Sequence, residues 1–437
     1  MARARGSNPL PEGTLEVGVG LILAGVTSYG FTVVAARTLG KAEYAPLSVL
    51  WALVFVAGPG FFLPIEQEVS RALAARRARG EGTGPVIRRA AMFGELIAAV
   101  LVIVLLILSP LIVSNLFNGE WLLFVALLFG TVGYSVEHLA RGAYSGTGRF
   151  RPYSVVVGGE ATLRFLACVV LAIVGATYAG WYGMALGLAP AFAVLISLRG
   201  QHGVVTDGPD APWSELSSAL GALLAGSVLA MVLVNGGPIA MKILAGEGQD
   251  ELVAQFFTAV IIARIPLFLF QAIQAALLPK LSALASAGRF DEFRIGFRKL
   301  VVVVASVGAV AVLVAFVIGP WAIRLLYGAD FNLGHRTVGL LAAGSVLFML
   351  AQAMAQAVIA LGGHTKMAVC WFVSVVVFVI VTALGNDLYL RVELGLLAGC
   401  AVACIGMAGL VRQLVHNGAA VHTGDLIEAI HDFGPEA

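Results

Sequence analysis

The sequence predicts an all-α polytopic membrane protein with twelve transmembrane helices in two parallel six-helix lobes. Hydrophobic residues make up 59% of the 437 and charged residues only 12%, whereas a soluble domain carries roughly 25% charge. Apolar runs of about 20 residues, the length that crosses a bilayer core, recur from end to end. A transmembrane barrel would instead show alternating segments of about ten residues.

A polar stretch in mid-chain divides the predicted spans into two sets of six. This stretch, 199–215, contains the Gly, Pro and Asp residues typical of a linker. The sequence therefore predicts an N-terminal lobe (1–198), a cytoplasmic linker (199–215), a C-terminal lobe (216–413) and a cytoplasmic tail (414–437). The twelve spans cover approximately 15–36, 45–70, 90–114, 121–145, 152–176, 179–198, 216–242, 252–278, 297–322, 336–361, 366–385 and 391–413.

The positions of the 27 Lys and Arg residues predict the orientation in the membrane. If the N-terminus is cytoplasmic, most of these residues lie in loops on the cytoplasmic face, as the positive-inside rule requires. Because the number of spans is even, the C-terminus is predicted to be cytoplasmic as well.

A weak internal repeat supports the division into two lobes. The stretches 109–121 and 319–331 each carry a Pro at the end of a long apolar run, followed by an aromatic residue and an acid. Pro110 falls on Pro320 when the two are aligned, and the loops after spans two and eight match in position and in basic character. Six spans in each half start both copies on the same side, which predicts parallel rather than inverted repeats.

The two parallel lobes, the basic loops and the Pro–aromatic–acid stretches resemble the MOP superfamily. Within it the chain resembles the polysaccharide branch, which is related to MATE exporters and to the lipid II flippase, and the resemblance covers 15–413. It implies a flippase in a bacterial-type plasma (inner) membrane that moves a polyprenyl-pyrophosphate-linked saccharide, a cell-envelope precursor, to the outer leaflet by alternating access. The implied partners are the lipid-linked saccharide, membrane lipids, H⁺ or Na⁺, and an envelope polymerase or glycosyltransferases. The lipid II branch usually has two further C-terminal spans, whereas twelve spans are predicted here, so lipid II is a less expected substrate than the other lipid-linked saccharides.

Two other functions remain open at this point, a cation-coupled multidrug exporter of the MATE type and a non-transporting scaffold of an envelope-synthesis complex. An enzyme is not predicted, because no phosphate-binding loop with its Lys and no Cys/His zinc spacing occurs, and no loop is long enough for a soluble catalytic domain. We accordingly predict no cofactor, no metal site and, from a net charge of only +2, no nucleic-acid partner.

Two arginines lie near the middle of predicted spans, Arg164 in span five and Arg264 in span eight. A charge at this depth costs about 2.5–3.5 kcal/mol on insertion scales and requires a partner or an aqueous cavity. Guanidinium groups bind phosphate oxygens through paired hydrogen bonds, so we predict that both bind the substrate headgroup in a cavity between the lobes. For Arg164 the alternative is an ion pair with Glu160, four residues earlier on the same helix face.

Acidic residues within the spans of the first half suggest a coupling-ion or proton site, with Glu137 or Glu160 as the titrating group. The alternative is that these carboxylates belong to intramembrane salt bridges. Further polar residues predicted to line the cavity are Asn235, Gln271, Gln352, Gln356 and Arg141.

Gly and Pro inside the spans predict hinges, because proline within a helix frees a carbonyl and bends the chain. We expect such motifs to interrupt spans two and seven and to bend span eight. The predicted hinge residues are Gly58, Pro59, Gly60, Gly237, Pro238 and Pro266.

Overall fold

The computed structural model describes residues 14–212, 215–216, 219–267, 270, 281, 283–285 and 287–432. Eleven helices have both ends within these residues, and most are joined by short loops. They are α1 (Thr14–Arg79), α2 (Gly84–Asn115), α3 (Trp121–Gly146), α4 (Phe150–Ile173), α5 (Ala179–Ser197), α6 (Leu220–Leu244), α7 (Asp250–Ala263), α8 (Phe290–Tyr327), α9 (His335–Ala360), α10 (His364–Ala383) and α11 (Leu388–Asp432).

Helix α1 carries the first two predicted spans in one stretch of 66 residues. Its helical backbone is interrupted at Gly40, where φ is 71° and ψ is 173°. This conformation favours glycine, which has no Cβ to clash with the backbone. The sequence suggests a loop between these spans, but the structure connects them through a kink at one residue.

The predicted fold class is confirmed. In the described part of the chain, ten helices are long and apolar enough to cross a membrane, and one of them, α1, contains two predicted spans. Helix α7 covers the start of predicted span eight, whose later residues lie mostly outside the described part of the chain. The protein is therefore a multi-pass membrane protein built from helices alone across the residues described.

The helices form two compact units, residues 1–220 and 221–437. In the first unit α1 packs against α3 and α4, and α5 packs against α3 and α4. In the second unit α9 and α10 pack against α11, and α8 packs against α9. Each unit thus buries its own set of helix faces.

The segments 58–60 and 236–238 lie within continuous helix, so the prediction that they interrupt spans two and seven is wrong for the backbone. A proline removes one N–H group, and a membrane helix continues when the freed carbonyl finds another donor. Pro266 lies three residues beyond the end of α7. That these glycines and prolines act as hinges stays a prediction.

The polar stretch between the predicted lobes is fixed to the first unit by Arg76, near the end of α1. The Arg76 side chain is fully buried, and all five of its N–H groups donate hydrogen bonds. Nε and Nη2 bind the carboxylate of Glu215 at 2.9 and 3.1 Å, while the remaining donors bind the backbone carbonyls of Gly82, Pro209 and Asp210 at 2.9–3.1 Å. A stretch that reads as a linker is thereby held against the α1–α2 turn.

Two threonines extend this attachment. The Thr83 hydroxyl donates to the Val204 carbonyl at 2.6 Å, and the Thr206 backbone N–H donates to the Thr83 hydroxyl at 3.1 Å. In the same turn, a hydrogen bond from the exposed Arg79 side chain lowers the pKa of the Glu81 carboxyl. The turn and the linker therefore form one hydrogen-bonded layer at the end of the first unit.

Replacing Arg76 by Ala is expected to lower the free energy of unfolding by about 3 kcal/mol, because it leaves several enclosed acceptors without donors at once. Thermal unfolding of the purified protein in detergent measures the loss. Arg88 is the control, because its side chain is 71% exposed and its partner Asp207 is exposed as well. An unfolding temperature of the Arg76→Ala variant equal to that of Arg88→Ala would contradict this account.

Candidate functional site

Charged side chains of the first unit meet where α1 crosses α3. Two glycines of α3 lie directly on the α1 backbone: a Cβ on Gly142 would lie 2.8 Å from the Glu66 carbonyl oxygen, and one on Gly146 would lie 2.8 Å from that of Ser70. Small residues at four-residue spacing allow membrane helices to approach this closely. The approach brings Glu66 of α1 against the polar face of α3.

Glu66 is the centre of the resulting cluster. Its Oε2 atom lies 2.7 Å from His138 Nδ1 and 3.1 Å from Arg141 Nε, and its Oε1 atom accepts a hydrogen bond from the Tyr153 hydroxyl at 3.1 Å. Glu66 and His138 are 6% and 2% exposed. Because ion pairing and hydrogen bonding both favour a charged carboxylate, this cluster stabilises a negative charge within the helix bundle.

Glu137, a predicted coupling residue, makes fewer and longer hydrogen bonds than Glu66. It is buried, and its Oε1 atom accepts one long hydrogen bond of 3.4 Å from Arg141 Nη1. Its Oε2 atom accepts no hydrogen bond from the described residues. Arg141 divides its guanidinium among Glu66, Glu137 and the Tyr153 hydroxyl, so the structure places it in a cluster rather than as a free lining residue.

Arg164 is enclosed within the first unit, which argues against the prediction that it binds a headgroup. The residue is 1% exposed; its Nη1 donates to Glu160 Oε1 at 2.6 Å and its Nη2 to the Ser28 hydroxyl at 2.8 Å. The guanidinium carbon lies 4.7 Å from the centre of the Trp51 ring. The alternative ion pair with Glu160 is thus the arrangement present. Glu160 also accepts a hydrogen bond from the Tyr134 hydroxyl at 3.2 Å.

Arg264 lies at the end of α7 and reaches the middle of α6. Pro238 has no N–H group to donate to the carbonyl four residues earlier, which belongs to Val234. Arg264 Nη2 donates to that carbonyl, and Nη1 donates to Asn235 Oδ1 at 3.0 Å. The guanidinium therefore replaces the hydrogen bond that proline removes, and it connects α7 with the Gly-Gly-Pro segment of α6.

These two partners of Arg264 are electrically neutral, whereas Arg141 and Arg164 of the first unit bind carboxylates. The sequence contains no Asp or Glu between Glu251 and Asp291. Arg264 is also half-buried rather than enclosed. Of the two predicted headgroup ligands, Arg264 has the surroundings that better suit an anionic ligand.

The remaining predicted polar residues belong to the second unit. Asn235 is buried beside Arg264, Gln356 is buried on α9, and Gln352 is half-buried on the same helix. Gln271 lies outside the described residues.

Sequence reasoning missed the cluster around Glu66 because it forms between helices. Glu66, His138 and Tyr153 come from three helices whose relative register no local pattern encodes. The spacing of Gly142 and Gly146, one turn beyond His138, was the available signal that α3 packs closely against a neighbour.

No family model matches the chain. Relatives identified by sequence are an uncharacterized protein of Mycobacterium tuberculosis (strain H37Rv), 26% identical over 429 residues that cover 94% of this chain and 95% of the relative, and an uncharacterized protein of Mycobacterium bovis, 25% identical over 88% of each chain. These relatives extend over nearly the whole protein and assign no activity to it.

Solved structures identify the fold. An outward-facing multidrug resistance MATE family transporter of the MOP superfamily matches with a TM-score of 0.69 at 14% identity, covering 93% of this chain and 96% of that one. The inward-facing form matches with a TM-score of 0.68, and a Vibrio cholerae MATE transporter mutant matches with 0.66 at 15% identity, covering 93% of this chain in each case. The protein therefore has the fold of MATE transporters.

Replacing Arg264 by Gln is expected to lower the free energy of unfolding by about 1–3 kcal/mol, because the Val234 carbonyl loses its donor. In Pro238→Ala the backbone N–H of residue 238 returns to that carbonyl. The Arg264→Gln substitution should therefore cost much less in the Pro238→Ala background than alone. Thermal unfolding of the four proteins of this cycle measures the coupling. Equal costs in both backgrounds would mean that the guanidinium does not substitute for the missing hydrogen bond.

Proposed function

We propose that the protein is a membrane transporter that moves a polyprenyl-pyrophosphate-linked saccharide, a cell-envelope precursor, from the inner to the outer leaflet by alternating access. The observation that carries the proposal is the half-buried guanidinium of Arg264, bound to neutral groups within a fold shared with MATE transporters. The pyrophosphate binds at Arg264, and the polyprenyl chain stays in the bilayer.

The chemistry of Arg264 suits this ligand. A guanidinium stays charged at any physiological pH and presents paired donors that match phosphate oxygens. Two of its acceptors in the described part of the chain are a backbone carbonyl and a side-chain amide, both weaker hydrogen-bond partners than an anion. A pyrophosphate oxygen that replaces the Val234 carbonyl as acceptor releases α6 at Pro238. Headgroup binding would in this way loosen a predicted hinge.

The proposed orientation rests on the distribution of basic loops, and the proposed location rests on the resemblance to the polysaccharide branch. With both termini cytoplasmic, the cytoplasmic leaflet of a bacterial-type plasma membrane supplies the substrate. The partners of the proposed function are membrane lipids, the lipid-linked saccharide, and an envelope polymerase or glycosyltransferases that make or use it.

A second candidate function is cation-coupled export of drugs. Three of the solved structures with this fold are described as multidrug resistance or MATE transporters, and buried carboxylates such as Glu137 suit cation binding. Against it, the carboxylates of the first-unit cluster already pair with Arg and His, and Arg264 repels a cationic drug. An anionic substrate is the better fit to these charges.

Arg264→Gln is expected to reduce transport of a fluorescent polyprenyl-pyrophosphate saccharide in reconstituted vesicles at least tenfold, while Arg264→Lys retains part of it. Quenching of the label that reaches the outer leaflet measures transport. Arg324→Gln, the same change at an exposed arginine near the end of α8, is the matched control and should leave transport intact.

The double variant Pro238→Ala with Arg264→Gln separates binding from folding. Here the Val234 carbonyl regains a donor, so a stable protein that still fails to transport would support binding of the pyrophosphate by Arg264. Wild-type transport by this double variant would refute the headgroup role. Transport of a lipophilic cation together with no movement of the saccharide would favour the drug exporter.

Glu137 is the proposed coupling residue, with H⁺ or Na⁺ as the ion. Glu137→Gln should abolish transport driven by an ion gradient but preserve exchange of substrate at equilibrium. The amide fills the same space as the carboxyl group, but it cannot bind and release the coupling ion. Glu160→Gln is the contrasting variant: it removes the carboxylate that binds Arg164, so it should lower the unfolding temperature instead. Gradient-driven transport by Glu137→Gln at the wild-type rate would exclude this residue as the coupling site.

A further inference from the structure

The second unit also contains a buried carboxylate, that of Glu393, which is far along the chain from the cluster around Glu66. Glu393 is on α11, five residues after its start at Leu388, and its side chain is 0% exposed. At a rise of 1.5 Å per residue, this position is about 8 Å below the helix end. α9 begins at His335 close to it, so the carboxylate lies near the N-terminal ends of two packed helices.

Neither oxygen of Glu393 accepts a hydrogen bond from the described residues. The nearest cation is Arg336, whose Nε lies 3.8 Å from Oε2, beyond hydrogen-bond distance. The Arg336 side chain is 55% exposed and lies equally close to Asp387, with Nη2 3.9 Å from Oδ1. Its charge is thus shared between two carboxylates and screened by solvent.

An ionised carboxylate in such a place is unfavourable. A buried charge requires a partner and hydrogen bonds, and its cost without them is larger than that of a neutral polar group. A metal cation would neutralise the charge but would lie close to the guanidinium of Arg336 and be repelled by it. A proton, in contrast, neutralises the carboxylate without placing another cation beside Arg336.

We propose that Glu393 is a proton-binding site in the second unit. In the present packing Glu393 carries the proton; when the proton leaves, Arg336 closes the gap to its carboxylate and forms an ion pair. The orientation predicted from the sequence places this end of the helices on the non-cytoplasmic side, so the site takes its proton from that compartment.

The neighbouring charged groups determine when the proton leaves. The Thr337 hydroxyl and the Arg336 guanidinium, both on α9, favour the ionised form, whereas Asp387, in the loop before α11, disfavours it. Tyr389 is engaged elsewhere through its hydroxyl, which donates to the Leu252 carbonyl at 3.1 Å, and Arg391 donates to the Leu244 carbonyl at 3.3 Å. Arg336 is therefore the cation whose removal should raise the proton affinity of Glu393.

Infrared difference spectroscopy of the full-length protein in lipid vesicles tests this site without any substrate, so its outcome is independent of the proposed transport. Raising the pH should remove a carbonyl band of a protonated carboxylic acid from the wild-type spectrum. Glu393→Gln should lack that band, and Glu292→Gln, which changes an exposed carboxylate, should keep it. Arg336→Gln should shift the loss of the band to higher pH.

Three results would overturn the proposal. A wild-type band that persists in Glu393→Gln would assign it to another carboxyl, and an Arg336→Gln midpoint equal to the wild-type value would refute the ion pair. Loss of the band on addition of Na⁺ at constant acidic pH would make the site a metal-cation site. If Glu393→Gln does not fold, the shift in Arg336→Gln alone decides whether this group titrates beside Arg336.

Discussion

The interior of a membrane supplies no water to satisfy polar groups, so each intramembrane charge and each carbonyl freed by proline requires a partner within the protein. The helices of this chain are arranged around that constraint. In the first unit, Arg164 is matched by Glu160 and Arg141 by Glu66. In the second unit, the group that requires a partner is a backbone carbonyl rather than a charge. Pro238 leaves the Val234 carbonyl without its helical donor, and Arg264 donates a hydrogen bond to it. One requirement thus explains both the ion pairs of the first unit and the hydrogen bonds that Arg264 donates to two neutral acceptors.

The two units therefore differ in the chemistry of their intramembrane charges. Carboxylates pair with Arg141 and Arg164 in the first unit, and Glu137 is the carboxylate of that set with the weakest contacts. The second unit places Arg264 on a carbonyl and an amide. Such a division is suited to a protein that handles a small cation in one half and an anionic headgroup in the other, which is the arrangement that the proposed flippase requires.

Much of the fold followed from the sequence, because span length and hydrophobicity are local properties. Composition and the two sets of apolar runs predicted the helical class, and the residue spacing predicted Glu160 as a partner for Arg164. What the sequence could not show depended on distant contacts. The Gly-Pro segment at 58–60 predicted a break that the helix does not have, since neighbouring packing decides whether proline ends a helix. Arg164 qualified as a ligand by depth alone, and its enclosure by Ser28 and Trp51 became visible only when separate helices were brought together.

The attachment of 199–215 to the first unit determines where the chain divides into self-sufficient parts. Arg76 and Thr83 bind residues that come more than a hundred positions later, so the first half completes its own structure only after that stretch has been synthesised. A gene split at residue 198 would deprive the N-terminal fragment of most of the acceptors for a fully buried guanidinium. A split just after residue 220 would keep them, and each half should then fold with its own internal contacts intact.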